Sequence, residues 1–291
     1  MQVRKPAVAG QFYNESREGC LKELKECLAA RRIDVPLPDL IVAAIVPHAG
    51  WLFSGDLAGA AFSAIRQVHE QVDTFVILGA AHRYLGRNAV VFDQGRWSTP
   101  LGEIDVDQDL AGQIATLDCV TADIEPHRGE HSIEVQVPFV QHLFPGARIV
   151  PVIVPAAEFD LRLGTKVADI ILASEGKRIV SIASTDLTHY GPRYGFAPQG
   201  TGADAIKWAK DVNDMDFIKL ALAMEPHRLL EAAVQRESAC GAGAAATAIA
   251  VAARLGKTEG ILLAHTHSNE VMEARFHQSS EESVGYAAII Y

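Results

Sequence analysis

Three loops carry histidines in a shared pattern: Pro47-His48-Ala49-Gly50, Gly79-Ala80-Ala81-His82 and Ser184-Thr185-Asp186-Leu187-Thr188-His189-Tyr190-Gly191. Neutral imidazole ligates metals, and near physiological pH it also carries protons. His48 and His82 suit metal ligation, because each follows an apolar run whose packing fixes the ring. A third donor is needed, and the best candidate is Cys240, in Glu237-Ser238-Ala239-Cys240-Gly241-Ala242-Gly243. It precedes a long helical pattern, and a helix N-terminus stabilises thiolate, the form that binds metal. A histidine-histidine-cysteine set leaves coordination positions open, as a catalytic centre requires. The soft sulfur keeps iron(II), copper and zinc all admissible. Asp186 and His189, three apart, suit acid–base work, with the carboxylate orienting the ring or a bound water. The plainer alternatives are an inert buried cysteine, a turn-capping Asp186 and a solvated His189.

The elements that position these groups are legible as apolar runs. Segments 40–46, 74–78, 149–154 and 178–183 are continuously apolar and β-branched, the pattern of strands buried on both faces. Two further strands are expected at 260–264 and 284–291. Helical patterns fall near 55–70, 106–115, 134–144, 158–174, 203–223, 227–235 and 241–255. Strand alternating with helix implies a largely parallel central sheet between helical layers, a three-layer α/β/α domain covering 1–291. The carboxyl ends of parallel strands lie along one edge, where open α/β sheets place their ligand crevices. The three histidine loops therefore converge.

Composition excludes several classes. The 26 Lys and Arg against 36 Asp and Glu give a net charge of −10, which argues against a nucleic-acid footprint. Four cysteines in 291 residues make no disulfide framework. The longest apolar run, 240–253, is too short to span a bilayer and reads as a buried helix. The start has no apolar signal region, so the expectation is a cytoplasmic protein without membrane contact.

Three further motifs compete. His127-Arg128-Gly129-Glu130-His131 matches the H-x-x-E-H pattern of inverted zinc peptidases. That motif needs a helix, whereas Pro126 and Gly129 favour a loop. Gly241-Ala242-Gly243-Ala244-Ala245-Ala246 resembles a dinucleotide fingerprint but follows a helical pattern, so close helix packing explains its small residues better. His265 and His267, two apart on an expected strand, face one way and could add ligands or lie on a wet edge. Trp51, Phe53 and Tyr190 stand near the candidate ligands and could wall a pocket for a small aromatic or peptide ligand.

Ordered blocks along nearly the whole chain resemble the Memo family, including the members called AmmeMemoRadiSam system protein B. They are Ala9-Gly10-Gln11-Phe12-Tyr13, Pro47-His48-Ala49-Gly50-Trp51, Leu78-Gly79-Ala80-Ala81-His82, Thr99-Pro100-Leu101-Gly102, Glu130-His131-Ser132-Ile133-Glu134-Val135-Gln136, Ser184-Thr185-Asp186-Leu187-Thr188-His189-Tyr190, Cys240-Gly241 and Val284-Gly285-Tyr286-Ala287-Ala288. The resemblance implies a fold similar to the class III extradiol dioxygenases, with a non-haem iron site at the sheet edge. It implies His48, His82 and Cys240 as metal ligands, holding iron or copper. Asp186 and His189 would be further site residues, His189 as acid–base group, and His131 would line the same pocket. The family's redox roles, and company with radical-SAM and AMMECR-type proteins, follow as further implications. This sequence departs from the dioxygenases in offering a thiolate for their carboxylate. It departs from the family in Ala80-Ala81, where Pro-Ser is usual, and in Ala264-His265-Thr266-His267-Ser268.

Overall fold

The apolar runs form the middle of a nine-stranded sheet. The computed structural model describes residues 2–156 and 161–291. Its strands are β1 (Val3–Arg4), β2 (Ala43–Val46), β3 (Thr74–Ala80), β4 (Ala89–Val91), β5 (Arg96–Thr99), β6 (Gly102–Asp105), β7 (Val120–Ala122), β8 (Arg148–Val154), β9 (Ile179–Ser184), β10 (His189–Tyr190), β11 (Ile261–His267) and β12 (Ser283–Ile290). The α-helices are α1 (Arg17–Ala30), α2 (Trp51–Val68), α3 (Gln108–Ala115), α4 (Val137–Leu143), α5 (Arg162–Ala173), α6 (Ala203–Trp208), α7 (Met215–Leu222), α8 (Pro226–Arg236), α9 (Ala242–Arg254) and α10 (Ser268–Phe276).

β2, β9, β3 and β8 run parallel side by side, with Val46 opposite Ser184 and Leu78 opposite Ala183. Every residue of β2, β3 and β9 is buried, because helices cover both faces. α2 packs on β2, β11 and β12 with α1 and α4 beside it, while α9 packs on β2, β3, β8 and β9 with α5 and α8. The mixed α/β architecture with a helix-flanked central sheet is the one expected. Antiparallel strands extend it: β12 pairs with β2, β10 and β11, and β4 pairs with β8.

The expected elements shift in detail. The helix expected over 203–223 is broken into α6, a π-helical turn (Ala209–Asp214) and α7. That wider turn brings Asn213 and Asp214 inside, where both are buried. The helix at 134–144 opens with a 3₁₀ turn at Glu134–Gln136 before α4. Positions 158–160 of the helix expected at 158–174 lie outside the described residues. Unforeseen were α1, α10, β10 and the outer strands. Among them, β1, β5 and β6 form a separate three-stranded sheet. No described helix is long and apolar enough to cross a membrane. Among the described residues none of the four cysteines forms a disulfide.

Candidate metal centre

The loops leaving β2, β9 and β3 meet at the carboxyl edge of the sheet. His48, two residues past β2, is 1% exposed. Its backbone N–H donates to Asp186 Oδ1 at 2.7 Å, and the Ala49 N–H donates to the same oxygen at 3.2 Å. Asp186 thus fixes the turn that presents His48. The ring is fixed from behind. Ser184 Oγ donates to the Ser132 carbonyl at 2.6 Å and accepts from Gln136 Nε2 at 3.0 Å. Its other lone pair faces His48 Nδ1 at 3.3 Å, which places the hydrogen on Nδ1 and leaves Nε2 as the free donor. Glu130 does the same for His82: its Oε1 accepts from Nδ1 at 2.9 Å while its Oε2 accepts the His82 N–H at 3.1 Å. Ser132 N–H also donates to Oε1, at 2.8 Å.

Cys240 comes from the other side, between α8 and α9. Its sulfur lies 3.2 Å from His48 Nε2. A first-row ion about 2.0 Å from nitrogen and 2.3 Å from sulfur sets such donors roughly 3.5 Å apart at tetrahedral angles, so the pair can share one ion with little movement. Gly241 makes this approach feasible: an added Cβ would fall 2.8 Å from the Ser184 carbonyl oxygen. Close packing, not a nucleotide, explains this glycine. Burial disfavours the Cys240 thiolate, but His48, His189 and His82 outweigh it and hold the thiol well below its ordinary range. Conversely, burial opposes charge on His48, yet Cys240 and Asp186 raise its pKa. Burial likewise opposes charge on His82, and bonds to Cys240 and Glu130 raise it. A cation held here would have to displace those ring protons and would meet a sulfur already favoured as thiolate.

His131 joins the same group. Nitrogens of His48, His82 and His131 all lie within 4.8 Å of one another, and the His131 ring stacks on His82 at 4.5 Å. Burial, then the neighbouring His48 and His82, push His131 down to about 4, so it is neutral near pH 7. Burial opposes charge on His189, while a hydrogen bond to Cys240 and the sulfur's charge raise its pKa; its buried Nε2 has no hydrogen-bond partner among the described residues. A buried nitrogen without a partner is where a ligand or water belongs.

Two cavities adjoin the cluster. The larger, about 690 Å³, has His48, His82, His131, Asp186 and His189 at its polar end. The smaller, about 390 Å³, reaches Cys240 from behind His189 and Tyr194, past Leu187, Val234 and Ala239. Of the aromatic wall expected from sequence, Phe53 lines the larger cavity. Trp51 and Tyr190 do not: Trp51 is buried against Tyr13 and Phe139, and Tyr190 gives its hydroxyl to the Gly200 carbonyl. Phe12, Met272 and Tyr286 take their place.

The H-x-x-E-H segment does not act as a unit, because it lies in a loop. His127 is fully buried and packs on Phe92 and Trp97, with Nε2 to the Val90 carbonyl at 3.1 Å. It stands apart from the group that Glu130 and His131 serve. Burial pushes His127 down to about 3. The unfolded chain takes up a proton near pH 6.5 that the folded chain refuses. This contribution to stability is therefore present above pH 6.5 and is lost as pH falls towards 3, at up to about 1.4 kcal/mol per unit. Denaturation midpoints of wild type and His127→Gln measured across that window should converge as pH falls; parallel curves would remove His127 from the acid response. His265 and His267 also stand outside the group. His265 Nε2 faces Asp214 Oδ2 at 3.2 Å, and His267 Nδ1 faces Ser283 Oγ at 3.0 Å.

Sequence reasoning missed the orienting roles of Ser184, Gln136 and Glu130. Their signal was present in the blocks around positions 130–136 and 184–190, but nothing in one dimension says which ring each residue holds.

An α/β fold that gathers His48, His82 and His131 at one sheet edge, their nitrogens within 4.8 Å of one another, offers a group that could hold a metal ion. Comparison with known proteins makes this specific. The model of the Memo-like protein family matches residues 4–290, and the chain belongs to that family. It is 38% identical over 303 residues to a MEMO1 family protein of Thermococcus kodakarensis, 99% of each chain being covered. It is 34% identical over 300 residues to one of Caldivirga maquilingensis, covering 100% of this chain and 99% of that one. An uncharacterized protein of Escherichia coli K12 has a similar fold, with a TM-score of 0.52 at 14% identity over 86% of this chain and 99% of its own.

Proposed function

We propose that this Memo-family chain is a metal-dependent redox protein, with one ion held by His48, His82 and Cys240. Iron(II) is the first choice, copper the second and zinc the third. The observation that carries the reading is the Cys240 sulfur 3.2 Å from a His48 Nε2 whose opposite nitrogen is already engaged. His82 is oriented in the same way by Glu130. When bound, iron or copper supplies one-electron chemistry and open positions for an oxidant or substrate.

The chain's own residues do the rest. Phe12, Phe53, Met272 and Tyr286 give the larger cavity an apolar wall that excludes water from an organic ligand. His189 Nε2, buried and with no hydrogen-bond partner among the described residues, accepts or returns a proton at the ligand. Asp186 keeps the His48 turn in place through Oδ1 and adds negative charge beside His189. His131, neutral near pH 7, is a second group able to accept a proton.

The test is oxygen uptake over a panel of catechols and small thiols by protein loaded anaerobically with iron(II) or copper, against zinc-loaded and metal-free protein. Uptake that needs iron or copper supports the reading. A second reading, a binding protein that keeps the pocket without turnover, is favoured by the size of the 690 Å³ cavity, ample for a drug-sized ligand. Saturable binding of a panel member with no uptake in any metal form would favour that reading.

A further inference from the structure

We infer that Asn213 and Asp214, on the π-helical turn between α6 and α7, are positioning residues for the metal centre. They clamp the loop bearing Asp186 and His189 to the segment bearing Cys240. Asn213 Nδ2 donates twice, to Thr188 Oγ1 at 3.0 Å and to the Arg236 carbonyl at 3.0 Å. Thr188 lies between Asp186 and His189, and Arg236 is the last residue of α8, shortly before Cys240. One buried amide therefore ties both chain segments. Asp214 adds a second tie: its Oδ1 accepts the Thr188 N–H at 3.0 Å. The Thr188 carbonyl accepts from Gly285 N–H at 3.0 Å, so every polar group of Thr188 is held.

Three details point to position rather than bulk packing. Asn213 Oδ1 has no partner among the described residues, so the buried amide bears a desolvation cost and its two donor bonds are what remain to offset it. The π turn is a rare backbone form met often at functional sites, and both polar residues at its end, Asn213 and Asp214, are buried. Gly285 leaves room for the carboxylate: an added Cβ there would fall 2.0 Å from Asp214 Oδ2. The clamp also accounts for His265, which faces Asp214 and so braces it instead of binding an ion.

The same two segments are joined at their other ends. Gly241 N–H donates to Thr185 Oγ1 at 2.8 Å, and Cys240 N–H to the Asp186 carbonyl at 3.3 Å. Tied at both ends, the sulfur keeps its place beside His48. Releasing one end lets it swing, and donor placement must hold within about 0.5 Å for a functional site.

The inference rests on the metal reading above, and its test separates the two. Cobalt(II) is titrated anaerobically into wild type, Asn213→Ala, Thr188→Val, Asp214→Ala and Asp214→Asn. In parallel, metal-free protein is alkylated at Cys240 with N-ethylmaleimide and followed by mass spectrometry; Cys20, Cys27 and Cys119 are buried. Asn213→Ala, Thr188→Val and Asp214→Ala are expected to weaken cobalt binding about tenfold and to reduce the thiolate-to-cobalt charge-transfer band per bound ion. Their Cys240 alkylation should rise severalfold. Asp214→Asn keeps an acceptor for Thr188 N–H and should restore wild-type behaviour. Thr188→Val is nearly isosteric and serves if Asn213→Ala does not fold. Wild-type values for Thr188→Val in both readouts would overturn the clamp. Should wild type bind no cobalt, the metal reading falls and the alkylation rates alone decide the clamp.

Discussion

Replacing Cys240 with serine is expected to weaken iron(II) or cobalt(II) binding by about a hundredfold or more, whereas His131→Ala costs less than about tenfold. A structural zinc site is worth about 10–16 kcal/mol over four donors, or roughly 3 kcal/mol per donor, and each 1.4 kcal/mol is tenfold. The centre offers two candidates for the third position. Cys240 lies 3.2 Å from His48 Nε2 and is held as thiolate by the surrounding imidazoles despite its burial. His131 lies within 4.8 Å of both histidines, but its ring stacks on His82 with only 18° between planes. The nitrogens of His48, His82 and His131 could themselves hold an ion, so the order of the two losses decides which residue is the third ligand. Competition against a chelator of known affinity checks the order. If His131→Ala loses the metal while Cys240→Ser keeps it, the third ligand is imidazole and the thiolate needs another role.

Arg4→Leu is expected to destabilise the fold by about 3–5 kcal/mol, the cost of leaving a buried charge without its partner. Arg4 is 4% exposed and pairs through Nη1 with Glu134, which is fully buried. Its Nε donates to the His127 carbonyl at 3.1 Å and its Nη2 to the Glu130 carbonyl at 2.6 Å, while the guanidinium lies 4.4 Å from the Trp97 ring centre. Glu134 in turn accepts from Ala7 N–H, Val8 N–H and the Tyr13 hydroxyl. Leucine fills much of the volume but leaves that carboxylate and two carbonyls short of a donor. Urea denaturation at neutral pH measures the loss, and a change below about 1 kcal/mol would show that water replaces the guanidinium. The network also bears on chemistry, because Glu130 orients His82. Metal affinity of the variant, measured under conditions where it stays folded, should fall alongside stability.

The inner strands were legible because both faces of β2, β3 and β9 are covered, so apolar runs continue without alternation. α1 was not, since it buries only Cys20, Leu24 and Cys27. α10 buries only Asn269 and leaves no apolar stripe to read. β1 and β10 are two residues each, below what periodicity can register.

For the candidate centre, sequence alone determined the residue types and their local places: His48, His82, Asp186 and His189 after buried strands, and Cys240 just before a helix. Chain chemistry sets these locally, since a buried strand must end in a loop and a loop can hold a polar ring. Only the tertiary structure decided that β9 lies between β2 and β3, so that the His48 and His82 loops flank Asp186. It also set Glu130 behind one ring and Ser184 behind the other, drew His131 in and left His127 out. Those outcomes depend on contacts between residues dozens of positions apart, settled by which faces and hydrogen-bonding groups can be satisfied together when the layers close.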